Sequence, residues 1–271
     1  MAVYNHSYAL PFEQQYDGSW FRDYMHRHWQ DSFIYSTVYV LVVFCGKKWM
    51  ENRPRYDLRP YLATWSAILG IFSIIGAIRT VPELITSVRD YGMEYSICVP
   101  SYHIGATGFW SSMFAISKVI ELGDTIFIVL RKQQLLFLHW YHHTTVLIYV
   151  WYMSRADEGM GRWFIGMNYT VHSFMYTYYA LRAMKINIPR YISMMVTSLQ
   201  LTQMIVGFSV TCIAYHLSQR SVCVVSTGPI IYGLIMYASY FVLFARVFYI
   251  NYLSEKPRFS STNETNGKKR N

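Results

Sequence analysis

The chain has 271 residues, of which 53% are hydrophobic, 18% are aromatic and only 14% are charged. So few charges in a chain of this length exclude an ordinary soluble domain and are typical of a polytopic membrane protein. The formal net charge of +9 does not indicate a nucleic-acid-binding protein, because the basic residues are scattered between apolar segments and form no single stripe.

Apolar segments of near-spanning length follow one another along the chain, and together they predict an all-α protein with seven transmembrane helices. A helix needs about 20 mostly apolar residues to cross a bilayer. The segments divide the chain into an N-terminal part (1–31), a membrane domain (32–252) and a basic tail (253–271). Residues 1–31 lack the apolar run of a cleavable signal peptide. The predicted spans are 32–49, 61–81, 108–130, 135–153, 163–183, 191–215 and 228–252.

The distribution of Lys and Arg predicts the orientation. These residues cluster after the first, third, fifth and seventh spans, so we expect a cytosolic tail and a lumenal N-terminus. Asn5 begins a glycosylation sequon on the lumenal side. Cys98 and Cys223 both fall in predicted lumenal loops, where a disulfide can persist. Lys268 and Lys269 match a dilysine retrieval pattern, and the location predicted from these features is the endoplasmic reticulum membrane.

Polar and ionisable side chains interrupt the third to sixth spans at similar depths. Because a helix rises 1.5 Å per residue, they lie roughly 10–15 Å below the cytosolic face. Interhelical hydrogen bonds of about 0.6 kcal/mol explain single amides, but each charge costs about 2.5–3.5 kcal/mol at a helix centre. The layer as a whole therefore indicates a functional site. Its members are Lys118, Glu121, Asp124 and Thr125; His139, His142 and His143; Asn168, His172, Met175, Tyr176 and Tyr179; and Thr197, Gln200 and Gln203.

The histidines first suggest a metal centre, but their inventory argues against one. The other five histidines lie before the first span or toward the lumenal side, which leaves too few in the layer for a di-iron centre of the desaturase type. The carboxylate-backed pattern of a zinc hydrolase is also missing from the sequence. We therefore predict neither a metal nor another cofactor. The histidines that share the layer are His139, His142, His143 and His172.

A neutral imidazole in an apolar slot can act as a base or as a nucleophile. Asp124 and Glu121 are expected to support the histidines and fix their tautomers. Acyl transfer from a thioester to imidazole is chemically reasonable, because the acyl-imidazole stays activated toward a second nucleophile. Lys118 and Arg131 are expected near the cytosolic mouth, where they would bind the phosphates of a nucleotide-bearing carrier.

Four motifs on these spans resemble those of the very-long-chain fatty acid elongases, the membrane 3-ketoacyl-CoA synthases of the endoplasmic reticulum. The resemblance covers nearly the whole chain, and it is closest to the branch acting on saturated and monounsaturated acyl-CoAs near sixteen carbons. The motifs are Lys118-x-x-Glu121-x-x-Asp124-Thr125, His139-x-x-His142-His143, Asn168-x-x-x-His172-x-x-Met175-Tyr176-x-Tyr178-Tyr179 and Thr197-x-x-Gln200-x-x-Gln203.

This resemblance implies a fold and a reaction. The last six helices would form an inverted barrel around an acyl tunnel, with the first helix outside and a Cys98–Cys223 disulfide at the lumenal end. Long-chain acyl-CoA and malonyl-CoA would condense to 3-ketoacyl-CoA, CO2 and CoA. His142 would take the acyl group as an acyl-imidazole, although the choice between His142 and His172 as nucleophile is left open.

The resemblance also implies roles for the other motif residues. His172 and His143 would position and polarise the reacting carbonyls, and His139 would orient its neighbours. The residues expected to bind substrate or CoA are Lys118, Arg131, Asn168, Tyr176, Tyr179, Gln200 and Gln203. A homodimer and association with the reductases and dehydratase of the elongation cycle are expected, as is contact with membrane lipid but not with nucleic acid. The alternatives are a histidine-box lipid hydroxylase or desaturase and, from another class, a seven-helix receptor or transporter.

Overall fold

The structure is a computed structural model that describes residue 6 and residues 8–223 and 225–254. In this part of the chain every regular element is helical, which confirms the predicted all-α class. The helices are α1 (Pro11–Gln14), α2 (Ser19–His28), α3 (Asp31–Met50), α4 (Arg59–Cys98), α5 (Gly105–Glu121), α6 (Gly123–Leu130), α7 (Phe137–Ala156), α8 (Gly161–Ala183), α9 (Arg190–Gln219) and α10 (Thr227–Phe248), and a π-helical turn (Tyr249–Leu253) follows α10.

All seven predicted spans fall on helices. Four helices of the described chain are long and apolar enough to cross a membrane by length and composition: α3, α4, α9 and α10 with its π-helical turn. The third span is divided between α5 and α6, each too short to cross a membrane alone, while α7 and α8 carry polar and histidine motifs. The protein is therefore a multi-pass membrane protein, while the count of seven crossings and the boundaries at residues 31 and 252 stay predictions.

Six of the spans pack in a closed ring. Neighbouring helices contact one another in the order α4, α8, α9, α10, α7, α5 and back to α4. Helix α3 lies outside this ring and packs on α6 and α7. The arrangement matches the expected barrel of the last six spans with the first helix outside. It leaves an interior onto which the polar motifs of α5 to α9 can converge.

Helix α4 is much longer than the segment 61–81 predicted for the second span. It continues to Cys98, with non-helical backbone at Gly92. The extension is stabilised by a buried ion pair in which the Arg162 guanidinium donates to Glu83 Oε1 at 2.5 Å. Arg162 also donates to the hydroxyl of Ser87 and to the carbonyl of Val99. These contacts hold the C-terminal half of α4 against α8, a pairing that hydropathy alone does not indicate.

The third span is divided between α5, which ends at Glu121, and α6, which begins at Gly123. A Cβ atom at residue 123 would lie 2.8 Å from the Trp65 ring, so this close approach of α4 to the break requires glycine. The break separates Lys118 and Glu121 from Asp124, although all three belong to one sequence motif. The motif therefore contributes to two different hydrogen-bond networks.

Candidate active site

A buried ion pair occupies the centre of the ring. The ammonium of Lys118 donates to both carboxylate oxygens of Glu121, at 2.7 and 3.0 Å, and to the Oδ1 of Asn168 at 2.9 Å. Lys118 is only 2% exposed and Glu121 only 3%. Three donors thus face three oxygens inside the protein. This placement differs from the expectation of a phosphate-binding Lys118 at the cytosolic mouth, because the ammonium is buried and fully engaged.

The same network fixes the ring of His172. A lysine ammonium only donates hydrogen bonds, so the oxygen of the Asn168 amide must face Lys118 and its nitrogen must face His172. That nitrogen lies 3.1 Å from His172 Nε2 and donates to it. The ring proton of a neutral His172 is therefore on Nδ1, which lies 3.8 Å from Glu121 Oε2. This distance is too long for a direct hydrogen bond, but the carboxylate stabilises that tautomer electrostatically.

Asp124 belongs to a second network, on α6. Its Oδ1 accepts from the indole N–H of Trp65 at 2.6 Å, and its Oδ2 accepts from the hydroxyl of Tyr176 at 2.7 Å. The next residue, Thr125, shares a 2.6 Å hydrogen bond with Tyr39 of the outer helix α3. We expected Asp124 to support the histidines directly. Instead it joins α4, α6 and α8, because both carboxylate oxygens already have donors from other helices.

The three histidines of α7 lie close together but have different surroundings. The ring centroids of His142 and His143 are 5.4 Å apart, and those of His139 and His143 are 5.7 Å apart. The His143 ring lies 6.3 Å from that of Tyr39 on the outer side. The His142 ring packs on Tyr240 of α10 at 4.9 Å. Among the described residues, no side chain hydrogen-bonds a ring nitrogen of His142, which leaves both nitrogens available to a bound molecule.

A cavity runs from this cluster toward the opposite end of the ring. His142, Asn168 and Gln203 line it at the level of the motifs, and Tyr102, His103 and Phe21 line the far end. Between them the walls are largely apolar, with Val146, Tyr149, Val150 and Met153 of α7 facing Phe164 and Ile165 of α8. The cavity therefore has a polar, histidine-bearing end and a long apolar end.

The remaining predicted site residues lie around this cavity. Gln200 donates to the Met175 sulfur at 3.3 Å, and neither residue lines the cavity. Tyr179 is 42% exposed, and its ring lies 6.5 Å from the ring of Tyr176. Gln203 is thus the glutamine of the α9 motif that reaches the cavity. Gln200, Tyr176 and Tyr179 are not among the residues that line it.

Arg131 follows the end of α6, on the side of the ring that bears the polar motifs. Burial and the neighbouring charge of Arg59 lower the pKa of its guanidinium, Asp57 opposes this shift, and Arg55 adds to it. Three arginines thus gather between the first two spans and the third. Asp57 compensates only part of their charge, so this corner of the molecule is suited to bind an anionic group.

Two further predicted features concern covalent and metal chemistry. The structure contains a disulfide between Cys98 and Cys223, with Cα atoms 5.2 Å apart. No three His, Cys, Asp or Glu side chains are grouped to share a metal ion within the described ranges; a metal-independent reaction stays a prediction. The predicted glycosylation and retrieval residues Asn5, Lys268 and Lys269 lie outside the described residues.

Sequence reasoning missed several residues that complete the site. Trp65, Tyr39 and Tyr240 contact the motifs from α4, α3 and α10, and Phe21 reaches the cavity from α2. The three residues on spans are single aromatic side chains in apolar segments, where they look like ordinary core residues. The only available signal was their ability to donate a hydrogen bond, which a buried Trp or Tyr must satisfy.

Comparison with known proteins identifies the family. The sequence profile of the GNS1/SUR4 family matches residues 24–260. The chain belongs to this family. It is 51% identical over 255 residues to very long chain fatty acid elongase 6 of Drosophila melanogaster, covering 92% of this chain and 81% of the relative. Elongases 6 of Gallus gallus and Homo sapiens are 42% and 40% identical over 245 residues, covering 90% of this chain and 92% of each relative.

Proposed function

We propose that the histidine-bearing cavity condenses a long-chain acyl-CoA with malonyl-CoA, with His142 carrying the acyl group between the two steps. The protein is a very-long-chain fatty acid elongase, and thus an acyltransferase that acts as a 3-ketoacyl-CoA synthase. The observation that supports this site most strongly is the cavity itself. It joins a histidine with free ring nitrogens to a long apolar channel of the kind an alkyl chain needs.

The first step transfers the acyl group to the protein. A ring nitrogen of His142 attacks the thioester carbonyl, the carbon–sulfur bond breaks, and CoA leaves as the thiol after taking the proton from the imidazole. An acyl-imidazole forms, with the alkyl chain in the apolar end of the cavity. The hydrogen-bond partners explain the choice of nucleophile: Nε2 of His172 accepts from Asn168, whereas the nitrogens of His142 are free.

The second step forms the carbon–carbon bond. Malonyl-CoA loses CO2, and the electron pair of the broken bond becomes an enolate whose carbon attacks the acyl carbonyl. The carbon–nitrogen bond then breaks and the departing ring nitrogen takes a proton from solvent, which returns the neutral imidazole and releases a 3-ketoacyl-CoA two carbons longer. We assign His172 and His143 to polarising the carbonyls on which negative charge develops. Because His172 already has a fixed tautomer, its orientation requires no reorganisation during the step.

The residues around the histidines have supporting roles in this scheme. Glu121 and Asn168 hold His172, and Lys118 holds both of them, so Lys118 acts on the reaction through its partners and makes no contact with CoA. His139 and Asp124 position neighbouring helices, and Gln203 shapes the reaction chamber. The arginine group of Arg131, Arg59 and Arg55 is our proposed site for the phosphates of CoA, since Arg binds phosphate with two parallel hydrogen bonds.

The cellular setting belongs to the same proposal. We propose a lumenal N-terminus, a cytosolic tail and residence in the endoplasmic reticulum, which the Lys and Arg distribution and the pair Lys268 and Lys269 support. This orientation places the histidines near the cytosol, where acyl-CoA and malonyl-CoA are available. We further propose that the reaction needs no metal or other cofactor. Formation of a homodimer and docking to the reductases and dehydratase of the cycle complete the proposal.

Intact-protein mass spectrometry tests the acyl-imidazole directly. The purified protein is incubated with palmitoyl-CoA alone, and His142→Ala is compared with the wild type. His216→Ala, which removes an exposed histidine at the far end of α9, serves as the matched control. We expect one palmitoyl adduct in the wild type and in His216→Ala, and none in His142→Ala. An adduct that persists in His142→Ala, or its complete absence from active wild type, would refute the covalent scheme.

A further inference from the structure

We infer that α2, which precedes the first span, forms the stop that limits acyl-chain length, with Phe21 as the residue that meets the end of the chain. This inference rests on the proposed function, because it assumes that the cavity holds the acyl chain of an elongase. It assigns a specificity role to an element that lies outside the six-helix ring and outside all four sequence motifs.

The lining of the cavity gives its direction. The α7 residues on its wall are His142, Val146, Tyr149, Val150, Met153 and Ser154. Their spacing of three or four residues places them on one face of the helix. On α8 the corresponding face contains Gly161, Phe164, Ile165 and Asn168. Both rows run from the histidine layer to the lumenal ends of their helices, so an acyl chain attached at His142 would extend along them.

The length of these rows corresponds to a chain of defined size. Ser154 lies twelve residues after His142, which is an axial distance of about 18 Å at 1.5 Å per residue. An extended chain advances about 1.2 Å per covalent bond, since a peptide residue with three bonds spans about 3.3–3.6 Å. The cavity thus accepts about fifteen bonds beyond the carbonyl carbon, or a chain of about sixteen carbons.

Phe21 reaches the far end of this path from α2. Its side chain is buried and belongs to the same apolar cluster as Phe114, Leu147 and Trp151 of the ring. Phe21 and Arg22 line the cavity together with Tyr102 and His103. Tyr102 is fixed by the ring itself, because its hydroxyl donates to the carbonyl of Glu158 at 3.0 Å. Shortening the Phe21 side chain would therefore enlarge this end of the cavity without changing any helix of the ring.

The segment that carries Phe21 is firmly attached to the lumenal end. The backbone N–H of Gly105 donates to the Tyr16 carbonyl at 2.7 Å, and the Tyr16 hydroxyl bonds Ser112 at 2.6 Å. Gly18 has a φ of +68°, and a Cβ atom there would lie 2.4 Å from the His103 carbonyl oxygen, so glycine allows α2 to begin against this loop. A stop that limits chain length must resist displacement, and these contacts provide that resistance.

A second set of contacts holds the beginning of the segment. Glu13, which is 1% exposed, accepts from the indole N–H of Trp110 at 2.6 Å and forms an ion pair with Arg79 at 3.1 Å. These partners belong to α5 and α4, two helices of the ring. The segment is thus anchored at two places just before α2, and a truncated side chain at residue 21 should enlarge the cavity without releasing the helix.

The test compares chain-length preference in variants at residue 21. The full-length protein is supplied with malonyl-CoA and with acyl-CoAs of twelve, sixteen or eighteen carbons, and the 3-ketoacyl-CoA products are measured by mass spectrometry. Phe21→Ala should raise the rate ratio of the eighteen- to the sixteen-carbon substrate at least tenfold. Phe21→Trp should lower the ratio of the sixteen- to the twelve-carbon substrate by a similar factor. The matched control is Trp20→Ala on the outer face of α2, where Trp20 is 68% exposed.

The outcomes separate this inference from the proposed function. If Phe21→Ala keeps the wild-type ratio, or if Trp20→Ala changes it equally, α2 is not the stop, although the elongase function stands. If Phe21→Ala is inactive even with the twelve-carbon substrate, the Phe21→Trp ratio decides, and an unchanged ratio overturns the inference. If the wild type condenses none of the acyl-CoAs with malonyl-CoA, the proposed function itself fails.

Discussion

Replacing Lys118 by methionine removes the positive partner of a carboxylate that lies inside the ring of helices. Methionine is similar in length and apolar, so the change leaves Glu121 buried with Ser117 as its remaining hydrogen-bond donor. Breaking a buried ion pair by removing one partner costs about 3–5 kcal/mol, since the other charge stays uncompensated. Glu121→Gln should cost a similar amount, because the Lys118 ammonium then keeps only neutral acceptors.

The double variant Lys118→Met/Glu121→Gln should be more stable than either single variant. Neither charge of the buried pair remains in it, and the main loss is the donor to Asn168 Oδ1, worth about 1–3 kcal/mol. We therefore expect it to recover about 2 kcal/mol, or a melting temperature roughly 4–8 °C higher, using about 2–4 °C per kcal/mol for a protein of 150–250 residues.

Thermal unfolding of the purified proteins in detergent micelles measures this recovery, with the exposed Lys185→Met as control. Condensation activity should stay lost in the double variant, because Asn168 and His172 no longer have a fixed arrangement. A double variant that melts at or below the single variants would refute the view that Lys118 and Glu121 act as one electrostatic unit. Recovered activity would refute their role in holding His172.

Three further outcomes follow from the contacts. Trp65→Phe removes a 2.6 Å hydrogen bond to Asp124 and should cost about 1.5–3 kcal/mol, so an unchanged melting temperature would contradict the importance of that bond. Burial opposes ionisation of Glu13, but hydrogen bonds and the Arg79 charge outweigh it and lower its pKa. The protection of the α1 amides from hydrogen exchange, relative to their intrinsic rates at each pH, should therefore decrease only as the pH falls below about 4.3, and Glu13→Gln should remove that dependence. Cys98→Ser opens a disulfide with a sequence separation of 125, which should lower the melting temperature to the value that the wild type shows under reducing conditions.

The sequence predicted the helical class and the meeting of polar residues from the third and fifth spans. The hydrogen bond from Lys118 to Asn168 joins the third span to the fifth, as expected for polar side chains that were predicted to lie at the same depth. Depth along a helix follows from a constant rise per residue, so it can be read from the sequence. The rotation of each helix and its choice of neighbour cannot be read from the sequence in this way. For this reason the partners of Asp124 on α4 and α8 were not predicted.

The N-terminal segment was missed for a different reason. Helix α2 has ten residues and carries His, Arg and Asp side chains between its apolar ones. Such a helix is too short and too polar to be recognised by hydropathy as part of a membrane domain. Its burial at Phe21 and Met25 depends on a surface that exists only when the ring has formed. Long-range packing of this kind has no signature in local sequence.

His172 and His142 differ in their hydrogen-bond partners and in their access to the cavity. These differences indicate separate roles, which their similar burial would not suggest. Nε2 of His172 already accepts a hydrogen bond from Asn168, so its lone pair is not free to attack a thioester. The chain that fixes it ends at Lys118, a charge that would be costly to bury without a purpose. His142 has the opposite surroundings, with Tyr240 against its ring and the cavity before it. A nucleophile needs an unoccupied lone pair and an open approach, whereas a group that stabilises developing charge needs a fixed orientation. Each histidine meets only one of these requirements, and this contrast supports our proposal that His142 takes the covalent step and His172 stabilises its transition state.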